Sequence, residues 1–268
     1  MELKALLALP LALPSVPRSI ALLLAELQRA EPDLRKITQV IRTDPALSAR
    51  LLRAANAPVF GVSGQVHTVS EAMALLDLAD LRAMVAQAAD AASLRSVPGV
   101  DLPAFWAYSL EVARYSRALA GAVRQNQGAA FTCGLIHAVG EWLLHTGMPA
   151  EMAAFDQEVP VLDLKRARAQ ERAFGYGYAQ VGAGLARQWL LPQPLIDALQ
   201  NQHAPFDNDV YEPLAGVIHL AAWRARAALA GLNERAMAAT FPGTVGEVLG
   251  LDVDMVLQQD PFDWFARS

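Results

Sequence analysis

The sequence predicts an all-α protein, and three observations predict it. Apolar residues recur at three- and four-residue steps over most of the 268-residue chain. Helix-start signals, an aspartate or a proline at the right offset, precede several of these runs. No stretch shows a convincing two-residue alternation, and no fixed-period repeat is present. Composition agrees: 54% of residues are hydrophobic and only 18% charged, a mix that favours packed helices over disorder. The length supports a sizeable core, in one large domain or two lobes.

The elements follow in order. Pro17 stands where a first helical turn tolerates proline, and Ile20, Leu23, Leu24 and Leu27 follow on one face. Asp33 caps a second helix with Leu34, Ile37, Val40 and Ile41 facing inward. Asp44-Pro45 starts a third, which presents Leu47, Leu51 and Leu52 and stops near Asn56-Ala57-Pro58. Val59 to Thr68 contains Gly61, Ser63 and Gly64 and reads as a loop. Ser70 and Glu71 reopen a helix with Ala72, Met73 and Leu76 inward, and another rests on Leu81, Met84, Val85 and Ala88. The front third thus holds five short helices, and Ser96-Val97-Pro98-Gly99 marks a lobe boundary.

Beyond it, long helices are predicted over about 104–123 and 128–145. Further helices are predicted near 149–155, 162–174, 179–190, 194–202 and 211–229, with a turn-rich link from Pro205 to Val210. The tail over 246–259 reads as a last short helix. Gly182-Ala-Gly184 has no preceding strand, so it is read as a close approach of helices and not as a dinucleotide loop.

Charge and cysteine content narrow the function classes. A net charge of -5 and a pI near 5.5 argue against binding to a phosphate backbone. A helix-turn-helix in the front lobe would have to read DNA with Pro45–Asn56, whose only basic side chains are Arg50 and Arg53. The densest basic run, Lys165-Arg166-Ala-Arg168, reads as a solvated helix face. Cys133 is the only cysteine and sits among Phe131, Leu135 and Ile136. It reads as a buried, inert thiol, and its solitude fits a reducing, cytoplasmic setting.

Lys4 and the apolar run Ala5 to Leu13 imitate the middle of a secretory signal. Pro10, Pro14 and Pro17 punctuate that run, and Glu2 weakens its positive start. A proline-bounded docking segment is the preferred reading, with a secretory signal as the alternative. No run reaches the roughly 18–20 uninterrupted apolar residues a membrane span needs.

The most informative stretch for chemistry is Gly134-Leu-Ile-His137-Ala138-Val-Gly140. A His-Asp pair on such an apolar helix would be half of a metal site, and Ala138 cannot coordinate anything. His203 follows a predicted helix end and precedes Pro205, a placement suited to a pocket rim. His145 lies about two turns beyond His137 on roughly the same side. His67 lies in the front loop, and His219 sits among Val217, Ile218 and Leu220. A lone histidine on an apolar helix is most often a packed side chain, and that is the reading for His145 and His219. No P-loop, nucleophile elbow, His-Glu-x-x-His or paired-cysteine motif is present.

These motifs together resemble the HDOD domain family. Leu13-Pro-Ser-Val-Pro17, Asp44-Pro-Ala-Leu-Ser through Asn56, Phe60-Gly61, Val69-Ser-Glu-Ala72 and Leu75-Leu76 carry the resemblance in the front half. Phe105-Trp106-Ala-Tyr108-Ser109, Gly134 to Gly140, Glu171 to Gly175, Tyr178 to Gly182, Trp189 to Pro192 and Gln202-His203-Ala-Pro205 carry it in the second. Each motif is modest, and their order and spacing are specific. The resemblance covers about residues 13–229. It implies a bacterial regulatory module with an N-terminal five-helix part (about 13–95) packed on a degenerate HD-like helical part (about 100–229). Residues 230–268 would form a helical tail packed on the HD-like lobe.

The HD-type metal phosphohydrolases that this family is similar to would place histidine where Tyr108 and Tyr178 stand. They would place His-Asp at His137-Ala138, His-His at Gln202-His203, and an aspartate near His219-Leu-Ala-Ala222. Two imidazoles survive, with no carboxylate among the matched positions. A phenol must first lose a proton near pH ~10 before it ligates well. The resemblance therefore implies no metal, no cofactor and no catalysis.

The sequence thus points to a non-catalytic signalling protein that binds a partner protein or a small ligand. One candidate site is the vestigial cavity of Tyr108, His137, Tyr178, Gln202 and His203, whose aromatic and hydrogen-bonding groups suit a planar ligand. The plainer reading is that they fill the old cavity. The other candidate is the loop from Asn56 with an exposed Phe60, unless Phe60 plugs the lobe junction. The rival function is a metal-dependent phosphohydrolase acting on nucleotides or cyclic dinucleotides. It would need Glu141, Asp156, Glu171 or His145 to converge as substitute ligands.

Overall fold

Many helix starts among the described residues follow the local chemistry of a capping side chain or a first-turn proline. The computed structural model describes residues 1–10, 13–91, 97–207 and 211–258. Leu11 and Ala12, Ser96 of the breaker, Asn208 to Val210 of the link and Gln259 of the tail lie outside the described residues. A short helix α1 (Leu3–Leu7) precedes the five of the front lobe: α2 (Pro17–Leu27), α3 (Leu34–Ile41), α4 (Pro45–Ala55), α5 (Val69–Leu75) and α6 (Leu78–Ala91).

Asp33 accepts hydrogen bonds from the Arg35 and Lys36 N–H groups, which satisfies the open end of α3. Asp44 is buried and does two things. One oxygen caps α4 by accepting from Leu47 N–H at 3.0 Å, and the other accepts from Val16 N–H at 2.6 Å, tying α4 to the chain that enters α2. In α3 the buried stripe is Ile37 and Ile41, one turn apart. Leu34, which the spacing assigns to the same face, sits in the first turn and is exposed.

The loop after α4 departs from the sequence reading. Asn56 is fully buried and clamps the loop from inside. Its Nδ2 donates to the Leu52 and Val66 carbonyls at 3.0 Å each, and its Oδ1 accepts from Gly64 and Val66 N–H. Phe60 is half-buried, packed beside Ala54, Leu76 and Met84. Gly61, at φ +69°, ends the short turn Pro58–Phe60, and Phe60 lines a groove with residues of α4 and α6. Val59 is the exposed tip instead, at 83%. The loop also reaches the second lobe, where Gly64 N–H meets the Leu190 carbonyl at 3.0 Å.

The second lobe contains α7 (Leu102–Ala122), α8 (Gln127–Ile136), α9 (Gly140–Gly147), α10 (Pro149–Glu158), α11 (Arg166–Phe174), α12 (Tyr178–Gln188), α13 (Gln193–Asn201) and α14 (Pro213–Leu229). It closes with α15 (Glu234–Thr240), α16 (Gly243–Leu249) and α17 (Val253–Leu257). Helix α7 packs between α8 and α14, α12 packs on α9 and α13, and α4 joins the lobes by lying on α7 and α8. Among the described residues there is no strand, only an isolated bridge between Val97 and Val100 across the Pro98-Gly99 turn.

Three boundaries differ from the sequence reading. The helix expected over 128–145 breaks into α8 and α9 at His137. There the His137 ring bonds the Gly134 carbonyl, and the next main-chain bonds tighten to three-residue spacing. The helix expected from 162 begins at Arg166, after a turn held by Asp163 accepting from Lys165 N–H at 2.7 Å. The tail forms two helices over the expected stretch, because Gly250 at φ +69° ends α16 and Asp252 caps α17. Both pack on α14.

Glycine spacing sets the close helix approaches. Gly184 gives α1 its seat: a Cβ there would lie 2.5 Å from Leu7 Cδ1. Leu6 is fully buried against Gly147 of the second lobe, and Tyr176 Oη donates to the Met1 carbonyl. The N-terminal segment therefore docks on its own chain. Among the described residues no helix is long and apolar enough to cross a membrane.

Gly140 is the tightest approach. A Cβ on Gly140 would sit 2.1 Å from the Tyr178 carbonyl oxygen, a backbone atom that cannot swing away. Gly140→Ala is predicted to force α9 off α12 and to destabilise the chain by about 3 kcal/mol. Urea denaturation measures this, and a loss under about 1 kcal/mol would show that this contact does not set the helix spacing.

Candidate functional site

Five side chains singled out from sequence do converge, and they come from four separate places in the second lobe. Tyr108 projects from the middle of α7, His137 ends α8, Tyr178 begins α12, and Gln202 and His203 follow α13. His137 Nδ1 lies 2.6 Å from the Gly134 carbonyl, and its Nε2 lies 3.0 Å from Tyr108 Oη. A carbonyl only accepts, so the ring proton sits on Nδ1 and the Tyr108 hydroxyl donates to Nε2. The Tyr108 and His137 rings meet edge-on at 5.1 Å, and Tyr178 meets His203 at 4.6 Å. Gln202 Nε2 donates to the His137 and Leu199 carbonyls at 3.0 and 2.8 Å.

These residues divide by what lies beside them. Tyr108, His137 and Tyr178 are sealed at 1% exposure or less. Gln202 and His203 instead line a cavity of about 500 Å³, together with Lys165, Arg168, His219 and Trp223. The space behind is filled by packed rings, and the open volume lies outside it.

At the centre is a residue the sequence reading missed. Arg226 of α14 is buried, donates from Nη2 to Tyr178 Oη at 2.9 Å, and lies 5.3 Å from the centre of the Tyr108 ring. It stands one turn beyond Ala222, on the face where an aspartate would serve a metal. The legible signal was Arg226 set between Ala225 and Ala227, the second of two arginines in an otherwise apolar run from Ala221 to Leu229.

The electrostatics follow from burial and that charge. Burial, reinforced by Arg226, holds the His137 ring down at about 3, against the Gly134 carbonyl that favours its protonation. Burial and Arg226 likewise lower His203 well below the usual imidazole value, and burial raises the Tyr108 phenol. These donors do not suit a divalent metal. The His137 nitrogens are committed, the phenols keep their protons, and a fixed guanidinium would repel a second cation.

A second buried cluster lies beside the first, and it overturns one reading. Arg166 belongs to a run expected to be solvated, yet it is fully buried. Its Nε and Nη2 each lie 3.1 Å from a Glu141 oxygen, and its Nη1 lies 2.5 Å from Asp156 Oδ1. His145 Nε2 reaches the other Asp156 oxygen at 2.9 Å. Lys165 and Arg168 remain exposed. Glu141, His145 and Asp156, three of the four substitute ligands a hydrolase would need, therefore do converge, but around an arginine. Glu171, the fourth, accepts from Gln180 instead. Cys133 is buried, and burial raises its thiol well above the ordinary value.

The clusters are joined. Gln170 donates to Glu141 Oε1 at 2.9 Å and accepts from Tyr178 N–H at 2.9 Å. The ion pair thus fixes the start of α12, and with it the Tyr178 ring.

Comparison with known proteins agrees with this architecture. The profile described as HDOD domain matches residues 13–205. A response regulator, MmoQ of Methylococcus capsulatus str. Bath, is 27% identical with a TM-score of 0.72, over 92% of this chain and 98% of that one. A Shewanella amazonensis SB2B protein provisionally named a phosphohydrolase is 28% identical with a TM-score of 0.55, over 95% of this chain and 90% of that one. An uncharacterized protein of Treponema pallidum (strain Nichols) is 23% identical over 212 residues, 78% of this chain but only 41% of that relative.

Two outcomes test the site's physics. Arg166→Met strands the buried Glu141 carboxylate and is predicted to lower stability by about 3–5 kcal/mol, with partial recovery when Glu141→Gln is added. Equal losses in the single and double variants, measured by urea denaturation, would refute the pairing.

The second outcome concerns pH. The folded His137 ring stays neutral down to about 3 while the unfolded ring protonates near 6.5. Its contribution is complete above 6.5 and is lost as pH falls toward 3, by up to about 1.4 kcal/mol per pH unit. His137→Gln is predicted to flatten the fall in unfolding free energy between pH 7 and pH 5, and parallel pH profiles for variant and wild type would contradict it.

Proposed function

The chain belongs to the HDOD domain family, and on that premise we propose that it is a non-catalytic signalling protein that acts by binding a partner protein or a small ligand. The observation that carries the reading is the Arg226 guanidinium among the side chains at the degenerate metal positions. A hydrolase of this type needs a cation held by carboxylates and imidazoles, able to exchange a water for substrate. Here a covalently fixed cation occupies that neighbourhood, and it offers no coordination position. The nearby carboxylates that could have repaired the site are engaged by Arg166. The likeness to the MmoQ response regulator supports a place in signal transduction.

The alternative is a metal-dependent phosphohydrolase, which the name given to the Shewanella relative favours. Elemental analysis after gentle purification, paired with phosphodiesterase assays in manganese and magnesium, separates the two. The expected result is substoichiometric metal and no turnover of nucleotides or cyclic dinucleotides. Stoichiometric metal together with turnover abolished by chelation would overturn the proposal.

A further inference from the structure

Arg226 carries a buried positive charge without a counter-ion. It is 6% exposed, and among the described residues no carboxylate stands within ion-pair distance of it. Its partners are the Tyr178 hydroxyl and the faces of the Tyr108 and Tyr178 rings, and its Nε has no acceptor. A buried charge left in this state is strongly unfavourable unless something pairs it. Arg166, equally buried, is met by two carboxylates.

The cavity that Arg226 lines has the opposite character to the rest of the chain. Lys165, Arg168 and Arg226 are all on its wall, and among the described residues no acidic side chain is, although the protein carries a net charge of -5. Two further polar atoms on that wall are orphaned. Gln202 is 2% exposed, and its Nε2 is spent on two carbonyls, so its orientation is fixed and its Oε1 is an acceptor with no donor. His203 Nε2 is also buried without a partner. Orphaned groups of both kinds around one open volume describe the ligand that would satisfy them. The volume of about 500 Å³ suits a small organic molecule. Trp223 and Ala222 add apolar wall for its body.

We infer that this cavity binds a small, multiply charged organic anion that also carries a hydroxyl or amino donor. The charged head pairs with Arg226, Lys165 and Arg168, and the donor meets Gln202 Oε1. Phosphate monoesters and polycarboxylates share this chemistry. The inference rests on the binding role proposed above and names the class of ligand for it.

Titration calorimetry on the full chain tests it with AMP, citrate and adenosine as probes at low ionic strength. AMP or citrate is expected to bind with a Kd below about 1 mM, and which of them binds identifies the head. Adenosine, which keeps the ring and donors but lacks the charge, is expected to bind at least about tenfold more weakly. Added salt weakens the anion but not adenosine. Arg226→Gln removes the buried charge, and because it also disturbs packing, the exposed pair Lys165→Glu with Arg168→Glu carries the decision. That double variant is expected to unfold at the wild-type temperature and to lose at least about tenfold in affinity. The inference is overturned if neither anion binds by about 5 mM, if adenosine binds as well as the anion that binds, or if the double variant binds like wild type. Bound AMP is then recovered after incubation with manganese. Intact AMP leaves both readings standing, hydrolysed AMP sinks the non-catalytic reading alone, and absence of anion binding without hydrolysis sinks the ligand class alone.

Discussion

Glu141 and Arg166 stand 25 residues apart, and both side chains are sealed from water where they meet. Neither could be buried alone, because an isolated ion in a low-dielectric interior loses its hydration without recompense. Once paired, they draw α9 and α11 together, Asp156 brings in α10, and Gln170 carries the network on to the first N–H of α12. A buried pair of this kind contributes little net stability over an apolar equivalent, but it fixes register. Here the fixed register includes Tyr178, whose ring and hydroxyl face the other buried arginine.

The two arginines divide the lobe's electrostatics between them. Arg166 is neutralised, so its surroundings are a closed structural unit. Arg226 is not, and it is the charge that lowers His137 and His203 further than burial alone. Two histidines left without carboxylates beside a fixed cation stay neutral, and neutral imidazoles so committed pack as aromatic rings. The degenerate site is therefore a coherent arrangement in its own right: rings stacked edge-on around one guanidinium, with its outer wall open to a cationic cavity.

Much of the fold was legible along the chain because it is written in short-range terms. Asp33 and Asp44-Pro45 announce helix starts by supplying an acceptor to free N–H groups, and each does so here. The five-helix front lobe followed from those start signals together with apolar spacing. The boundaries that differed were set by local bonds and turns that apolar spacing does not register. His137 breaks a helix whose apolar pattern runs straight through it, and Phe60, on a loop that pattern leaves open, packs against the core.

The candidate site was legible only in half. Sequence placed Tyr108, His137, Tyr178, Gln202 and His203 together, since their spacing follows a family pattern, and Ala138 already declared a missing carboxylate. It could not say that three of the five are sealed while two face a cavity, because accessibility depends on which helix covers which. It also assigned Arg166 to solvent and passed over Arg226. Periodicity identifies where an apolar side chain belongs, since burial is what apolar surface seeks. A charged side chain is buried only when a distant partner meets it, and the meeting of residues 141 and 166, or of 178 and 226, exists only in the tertiary structure.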